Sequence, residues 1–281
     1  MTGQEAEARA AGQQGAPAFD TTVPHPARRY NYWLGGKDHF EADRKSGDEI
    51  AAMFPTVRIA AIENRRFLRR AVTFLTAEAG IRQFLDIGTG IPAPNNTHEV
   101  AQAIDPSARV VYVDNDPIVM VHARALLDSA PEGATAYLEA DLREGAALLR
   151  KPEVLNTLDL SKPVGLLLVA VLHFLGEKDE PYRIVADLVR ELPSGSYLVA
   201  SHATLDFMTP EMLAMAARMA ASGEHGSFTS RSQEEFGRFF DGLELVPPGV
   251  VPLAEWRADN EPQPRPTPAE VAGYAAVARI P

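Results

Sequence analysis

The chain has 281 residues, of which 46% are apolar and 23% are charged, values typical of a globular protein long enough for one large domain with a substantial core. Its formal net charge of −11, and the lack of Lys and Arg clusters interleaved with aromatic residues, argue against a nucleic-acid substrate, whose phosphates need clustered cations. Without cysteine, a signal-peptide pattern or an apolar run long enough to cross a bilayer, we expect a cytoplasmic protein without disulfides, cysteine-ligated metal or membrane contact.

The N-terminal part of the chain contains three segments of different character. Residues 1–25 are rich in Ala, Gly, Gln and Glu without periodic apolar residues, and we predict a disordered tail. Residues 28–40 are dense in aromatic side chains and contain two adjacent glycines. They predict either a clamp packed on the sheet edge or a lid whose aromatic residues, Tyr32 among them, cover an adenine or a substrate. Between residues 42 and 78 apolar residues recur at helical spacing, and Pro55 divides two helices.

Two short apolar runs, Gln83–Ile87 and Arg109–Asp114, each end in polar residues where a buried strand should end. The first is followed by Gly88 and Gly90, which allow a sharp turn and a close approach of backbone to a ligand. The chain between the runs is long enough for one crossover helix, so the pair predicts a parallel β-α-β unit. Ligands of such sheets lie beyond the carboxyl ends of the strands. We therefore predict a nucleoside-containing cofactor, with its polar tail over the glycines and its ribose hydroxyls on Asp114.

The glycine loop also bears on which cofactor this is. A dinucleotide-binding loop carries a third glycine, but Ala93 occupies that position and the prolines on either side of it stiffen the loop. D-x-G-x-G after a strand, with an acid ending the next strand, resembles motifs I and II of the class I S-adenosylmethionine-dependent methyltransferases. The resemblance implies S-adenosylmethionine, with the loop under its methionine part and Asp114 on its ribose diol; a βα turn that binds nothing is the alternative. The candidate cofactor-binding residues from these motifs are Asp86, Gly88, Thr89, Gly90, Asp114 and Asn115.

The same resemblance implies roles for residues on either side of these motifs. Residues 136–142 predict a third strand, and in class I methyltransferases an acid here binds the adenine amino group beside a backbone N–H, which implies Asp141 and Leu142. Capping of the next helix is a competing and compatible role for Asp141. Ala170 stands at the position of the fourth motif, where cofactor meets substrate. Arg65 precedes the first strand and is either a bidentate ligand of the S-adenosylmethionine carboxylate or a solvated arginine.

Several stretches together resemble a narrower group, the actinobacterial S-adenosyl methyltransferases first catalogued as a domain of unknown function. The resemblance covers nearly all of the chain after residue 25. It rests on the glycine loop and on residues 28–40, 63–72, 111–117 and 167–174. It implies a methyltransferase but does not specify the methyl acceptor.

Residues 163–175 form the most apolar run and predict the central strand, buried on both faces. His173 is the one obvious acid or base in this run. It is either a catalytic group that takes a proton from a hydroxyl or amine as the methyl group arrives, or a hydrogen-bonded packing residue. His202, at the end of a predicted fifth strand, is a second polar candidate. The run has neither the Asn/Asp-Pro-Pro-Tyr of base-amino methyltransferases nor paired aspartates for a divalent cation, so we predict no metal.

The predicted fold is a single α/β domain with a Rossmann-like, seven-stranded, mostly parallel sheet and an N-terminal helical lid. Residues 243–253 and 272–280 predict an antiparallel C-terminal strand pair. The helix after Thr209 is rich in methionine and predicts a cover, either over the substrate or by ordinary packing. After the disordered tail 1–25, the single domain 26–281 divides into a lid at 26–80, a cofactor-binding core at 81–204, a helical cover at 205–240 and the strand pair at 241–281.

The function predicted from these features is transfer of a methyl group from S-adenosylmethionine to a small-molecule acceptor. A methyltransferase needs no metal cluster or catalytic triad, since the sulfonium is already activated and the protein mainly binds and aligns. Two alternatives remain open at this point. One is a protein that binds S-adenosylmethionine or S-adenosylhomocysteine without turnover, and the other is an NAD-dependent oxidoreductase. The sequence specifies neither the acceptor nor the oligomeric state.

Overall fold

The computed structural model describes residues 20–126 and 129–281, without the side chains of residues 123–126. Residues 1–19 of the predicted disordered tail lie outside the described residues. The strands of the described chain form one sheet in the order β3-β2-β1-β4-β5-β8-β6, with β7 also paired to β8. The strands are β1 Gln83–Ile87, β2 Arg109–Asp114, β3 Ala134–Glu139, β4 Gly165–Val169, β5 Tyr197–Ala203, β6 Glu244–Leu245, β7 Val251–Pro252 and β8 Gly273–Arg279.

Many of the helices begin at a proline, whose fixed φ suits the first turn and whose missing N–H would have no partner there. Threonine or serine hydroxyls precede several of them and accept hydrogen bonds from the first turn, as Thr209 does from Met212 N at 3.3 Å. The α-helices are α1 Pro26–Trp33, α2 Glu41–Met53, α3 Val57–Ala77, α4 Thr97–Ile104, α5 Pro117–Leu126, α6 Pro152–Thr157, α7 Pro181–Arg190, α8 Pro210–Ser222, α9 Gln233–Gly237 and α10 Pro268–Val271. Short 3-10 segments are Leu142–Arg150, Leu172–Phe174, Glu177–Asp179 and Arg238–Phe240.

The sheet is mostly parallel, as predicted. Strands β1 to β5 pair in parallel, and β8 runs antiparallel to β5 over seven residue pairs from Tyr197 with Arg279 to Ala203 with Gly273. Every residue of β1 is buried. Its side chains alternate between the two faces of the sheet. Phe84 packs with α3 on one face, and Leu85 packs with the 3-10 segment Leu142–Arg150 and α7 on the other. Helices therefore cover both faces of the sheet, and the predicted α/β fold is confirmed.

The predicted strand at residues 243–253 was wrong in its length. The structure has two strands of two residues there, β6 and β7, separated by a turn. Both pair with β8, whose other edge is taken by β5, so they share one position at the sheet edge. Pro247 and Pro248 have no N–H to donate to a ladder, and Gly249 adopts φ +87° in the turn. The seven predicted strands thus correspond to seven positions across the sheet.

The predicted central strand also ends earlier than expected. Strand β4 ends at Val169, and the rest of the predicted run, through His173, forms a loop and the 3-10 segment Leu172–Phe174. Ala170 adopts φ +56°, a left-handed conformation that a residue with a Cβ seldom takes and that no strand continues. The chain therefore leaves the sheet at Ala170, at the edge where the carboxyl ends of the parallel strands meet.

Candidate active site

A cavity of about 800 Å³ lies beyond the carboxyl ends of β1, β2, β4 and β5. Its volume is in the range of small-molecule and cofactor sites. The loops after these strands form its floor, and α1, α2 and α8 contribute its roof. All but one of the residues predicted from the sequence line this cavity, namely Arg65, Asp86, Gly88, Thr89, Gly90, Asp114, Asn115, Asp141, Leu142, Ala170 and His173.

The glycine loop turns sharply at the end of β1. Gly88 adopts φ +76° and donates from its N–H to Val113 O at 2.8 Å. A Cβ at Gly88 would lie 2.4 Å from Val171 Cγ2, so the turn and the close packing both require glycine. Gly90 adopts φ +69°, and its Cβ position has no atom within 4 Å. The loop is therefore packed tightly against Val171 at Gly88, whereas it has free space beside it at Gly90.

Asp114 fastens this loop to the neighbouring strand. Its Oδ2 accepts from Gly90 N at 2.8 Å and its Oδ1 accepts from Asp116 N at 2.9 Å. The side chain is buried, and burial raises the pKa of Asp114 although both N–H groups oppose that shift. Each carboxylate oxygen keeps a second lone pair that no protein group uses in the described chain. Asp114 is thus placed to accept hydrogen bonds from a ligand as well as from the loop.

Asp86 lies below the glycine loop and is also buried. Its Oδ2 accepts from Thr97 Oγ1 at 2.6 Å. Burial raises the pKa of Asp86 to about 6, and the Thr97 hydroxyl and Arg65 partly oppose that shift. At neutral pH the folded protein therefore holds a charge at Asp86 in a site that favours the protonated form.

This environment predicts a pH dependence of stability that Asp86→Asn removes. The folded pKa of about 6 exceeds the unfolded value, so the folded state binds the proton more tightly and the contribution of Asp86 to stability falls as the pH rises from about 4 to about 6. We expect Asp86→Asn to raise the free energy of unfolding at pH 7.5 by about 3 kcal/mol, and at pH 5 by about half as much. Urea unfolding at both pH values measures this. Asp259→Asn, at an exposed position, is the control, and a less stable Asp86→Asn at pH 7.5 would contradict the expectation.

Asp141 and Asn115 meet at the next strand ends. Asn115 Nδ2 donates to Asp141 Oδ2 at 2.9 Å, and Asp141 Oδ1 accepts from Arg143 N at 2.8 Å. Asp141 is therefore the N-cap of the 3-10 segment Leu142–Arg150 and also lines the cavity. The capping role proposed from the sequence is present, and it leaves Asp141 facing the space where a ligand would lie.

Arg65 supports the proline-rich part of the loop. Its Nη2 donates to the carbonyl oxygens of Ala93, Pro94 and Asn95 at 3.3, 3.0 and 3.0 Å. Its Nε is buried and has no hydrogen-bond partner among the described residues. Arg65 is half-buried, and its guanidinium is held against the loop and borders the cavity. An unpaired N–H of a cation at this place indicates room for an anionic ligand group.

Tyr32 is the predicted site residue that does not line the cavity. Its hydroxyl donates to Asp48 Oδ1 at 2.7 Å, and the Arg58 guanidinium lies 4.9 Å from its ring centroid. Tyr30 lines the cavity instead, with its hydroxyl donating to Ala61 O at 2.9 Å. Residues 28–40 were predicted as part of the helical lid without the bounds of a helix. Helix α1 begins at Pro26, and residues two apart on a helix point to nearly opposite sides. The cavity contact expected of Tyr32 is therefore made by Tyr30.

Two histidines and a buried arginine form the wall at β4 and β5. Arg231 Nη1 donates to His202 Nε2 at 3.0 Å, and His202 Nδ1 donates to Ala203 O at 2.7 Å, which gives His202 a defined neutral tautomer. The ring centroids of His173 and His202 are 5.4 Å apart. Burial lowers the pKa of His202 to about 4, and burial with the neighbouring His202 and Arg231 lowers the pKa of His173 well below its ordinary value. Both imidazoles are therefore neutral at physiological pH.

The roof is attached to the floor at the end of β2. The Asp116 carboxylate lies 3.0 Å from His25 Nδ1 and 3.3 Å from Arg28 Nε. Asp43 of α2 accepts from His25 N at 2.8 Å and lies 3.8 Å from Arg28 Nη1. Burial raises the pKa of Asp116, but His25, Ile118 N and Arg28 outweigh burial and leave it below the ordinary value. Sequence reasoning missed these residues, and the described part of the predicted tail, residues 20–25, contributes His25 to them.

The family model of S-adenosyl methyltransferases matches residues 12–281 of the chain. The chain belongs to the S-adenosyl methyltransferase family. A solved DUF574 family protein from Streptomyces avermitilis is 45% identical, with a TM-score of 0.89 over 93% of this chain and 99% of that one. A solved candidate methyltransferase from Thermobifida fusca is 42% identical, with a TM-score of 0.84 over 95% of this chain and 99% of that one. Comparison with curated proteins gave no match.

The family assignment confirms the resemblance and the class of enzyme predicted from the sequence. As in that prediction, the S-adenosyl methyltransferase sheet is mostly parallel with antiparallel C-terminal strands. Among the helices in residues 20–126 and 129–281, none has the length and apolar character of a membrane span.

Proposed function

We propose that the cavity binds S-adenosylmethionine and that the protein transfers its methyl group to a small-molecule acceptor. The observation that carries the proposal is the glycine loop, which Asp114 fastens at the carboxyl ends of two adjacent parallel strands inside a cavity of about 800 Å³. Ligands of parallel sheets bind at this edge. The family assignment supports the same cofactor.

The residues of the floor suit the parts of this cofactor. The open side of Gly90 leaves room for a ligand against the loop, and the free lone pairs of Asp114 suit the two ribose hydroxyls. Asp141 and the backbone of Leu142 border the next part of the cavity, where the adenine would lie. The unpartnered Nε of Arg65 suits the methionyl carboxylate. Ala170, with its strained backbone at the end of β4, would lie where cofactor and acceptor meet.

The cofactor supplies a methyl group on a positively charged sulfur. The attacking atom of the acceptor would bond to the methyl carbon from the side opposite the sulfur, and the sulfur would leave. This chain's residues then have three tasks, which are to hold the two reactants close, to align them and to exclude water. The roof helices α1, α2 and α8 enclose the cavity and serve the last task. His173 is neutral and lines the cavity, but its lowered pKa makes it a weak base, and its Nδ1 accepts from Ala203 N at 3.5 Å. It would therefore assist only weakly in taking the proton that a hydroxyl or amine loses.

Isothermal titration with S-adenosylmethionine, S-adenosylhomocysteine and NAD tests the cofactor assignment. We expect micromolar binding of the first two, with the roof contributing apolar contact, and no heat from NAD, because Ala93 and its flanking prolines replace a pyrophosphate-binding loop. Binding of NAD alone would make the protein an oxidoreductase candidate. If none of the three ligands gives heat of binding, the cofactor assignment is rejected.

Turnover distinguishes an enzyme from a protein that only binds the cofactor. The assay follows formation of S-adenosylhomocysteine by mass spectrometry in the presence of a panel of phenols, amines and carboxylic acids. Product that depends on one acceptor class establishes transfer. Tight binding of the cofactor without product across the panel favours the non-catalytic alternative.

A further inference from the structure

Four arginines of the described chain are buried, and they differ in one respect. Arg28, Arg70 and Arg231 each have a carboxylate oxygen within 4.0 Å, on Asp116, Glu261 and Glu177 respectively. Arg29, which is only 4% exposed, forms no ion pair with any described residue. A buried cation is normally paired, because removing it from water without a counter-charge is costly. Arg29 is therefore a cation whose partner is missing from the described protein.

The side chain of Arg29 also lacks ordinary hydrogen bonds. Its Nη1 donates to Ser46 Oγ at 3.4 Å, and this is the side-chain hydrogen bond that the described residues provide. Its Nε is buried without any partner. Ser46 is itself shared, since its Oγ lies 2.8 Å from His225 Nδ1. Arginine has five N–H donors, so most of its hydrogen-bonding capacity is unused.

The nearest acid does not compensate for this. Asp43 of α2 is fully buried, but its two oxygens accept from His25 N and Phe40 N at 2.8 Å each, and its ion pair is with Arg28. Burial lowers the pKa of Arg29 to about 10, the charge on Asp43 opposes that shift and the charge on Arg28 adds to it. At physiological pH Arg29 is still charged, so the missing partner is an anion.

Arg29 lines the cavity, and its position there differs from that of Arg65. Arg29 belongs to α1 in the roof and contacts Ser46 of α2, whereas Arg65 lies on α3 beside the glycine loop. Apolar side chains line much of this part of the cavity, namely Trp33, Ile50, Met53, Met208 and Met219, beside the polar His25, Tyr30 and His225. An anion bound to Arg29 would therefore be attached to an apolar body.

We propose that Arg29 binds a carboxylate of the methyl acceptor, so that the substrate class is small carboxylic acids with an apolar body. The proposal rests on the proposed function, in which Arg65 serves the carboxylate of the cofactor. Of the arginines that border the cavity, Arg29 and Arg65 each have a buried Nε that lacks a partner, whereas Arg143 is paired with Asp141 and Asp179. The cofactor has a single carboxylate. The second cation is then left for the second ligand.

The test compares acids with their amides on the protein saturated with S-adenosylhomocysteine. The probes are 4-hydroxybenzoate, indole-3-acetate and octanoate, each beside the amide of the same shape, titrated into wild type, Arg29→Gln and Arg29→Lys. We expect at least one acid to bind ten-fold or more tightly than its amide. Arg29→Gln should abolish that preference and Arg29→Lys should keep part of it, since lysine keeps the charge but loses the planar guanidinium that binds a carboxylate through two hydrogen bonds. Arg218→Gln, an exposed arginine of α8 outside the cavity lining, should bind as wild type.

Each outcome decides between the proposals. Acids and amides that bind wild type equally, or no acid that binds, would overturn the role of Arg29 in acceptor binding. A ten-fold loss of S-adenosylhomocysteine affinity in Arg29→Gln would assign Arg29 to the cofactor and overturn it as well. Failure of wild type to bind S-adenosylhomocysteine would instead reject the proposed function. Loss of folding does not obscure the test, because Arg29→Gln removes an unpaired buried charge and we expect its thermal midpoint to be no lower than that of wild type.

Discussion

Arg231→Met should lower the free energy of unfolding by about 3–5 kcal/mol, because it leaves several buried hydrogen-bond acceptors without a donor. Arg231 is 2% exposed and connects three parts of the chain. Its Nη1 donates to Leu172 O at 3.2 Å and to His202 Nε2 at 3.0 Å, and its Nη2 donates to Leu175 O at 3.0 Å and to Glu177 Oε1 at 3.1 Å. Methionine has similar length but no donor, so two carbonyls and one imidazole nitrogen are left buried without a partner.

The change should also affect the histidines of the cavity wall. Without Arg231, Nε2 of His202 loses its donor, and a charge that holds the pKa of both His173 and His202 down is removed. We expect the pKa of His202 to rise from about 4 toward its ordinary value, as read from imidazole ¹⁵N shifts. Guanidinium unfolding at pH 7.5 measures the stability.

The matched control is Arg238→Met, which removes an exposed arginine whose guanidinium lies 4.5 Å from the Tyr182 ring. It should change the free energy of unfolding by no more than about 0.5 kcal/mol. If Arg231→Met lowers the free energy of unfolding by less than about 1 kcal/mol, water replaces the hydrogen bonds of Arg231. The cavity wall at β4 and β5 would then be stable without this arginine.

Asp114→Asn should weaken S-adenosylhomocysteine binding by about 2–3 kcal/mol, roughly 30- to 150-fold. Both oxygens of Asp114 accept from backbone N–H groups, of Gly90 and Asp116. An asparagine accepts at one atom and presents an NH₂ group at the other, so one of the two N–H groups faces a donor. The glycine loop then loses its attachment to β2, and in the proposed site the ribose loses one acceptor.

Titration calorimetry measures this effect, with Asp241→Asn as the control because it makes the same charge change at an exposed residue outside the cavity lining. Thermal unfolding of Asp114→Asn shows whether the protein stays folded. Unchanged affinity in a folded Asp114→Asn would remove Asp114 from the cofactor site. It would also mean that the loop holds its shape without that carboxylate.

The sheet and the glycine loop could be predicted because local sequence determines them. Strands buried on both faces must be continuous apolar runs, as Gln83–Ile87 is, and a turn at φ +76° favours glycine, as Gly88 shows. The break between β6 and β7 was also visible in the sequence, since Pro247 and Pro248 cannot donate to a ladder. A single strand was predicted at residues 243–253 because the prediction relied on the apolar pattern alone.

The roles of the polar side chains could not be predicted in the same way. Arg65 meets Ala93 and Arg231 meets His202 only because the folded chain brings them together, and neither spacing in the sequence indicates the pair. The choice between Tyr30 and Tyr32 depended on where α1 begins, since its register decides which of them faces inward. Nothing in the sequence distinguishes Arg29 from other arginines, because its lack of an ion-pair partner is visible only in the folded structure.

The two sides of the roof are held with very different strength. The α1 side carries the buried ion pairs of Arg28 with Asp43 and Asp116, whereas α8 has no buried residue. Separating α1 from the floor would break buried ion pairs, whereas lifting α8 would break mainly half-exposed contacts. We therefore expect α8 to separate from the cavity more readily than α1. Ligands are then expected to enter under α8, and an acid held by Arg29 would stay bound to α1 while α8 is displaced.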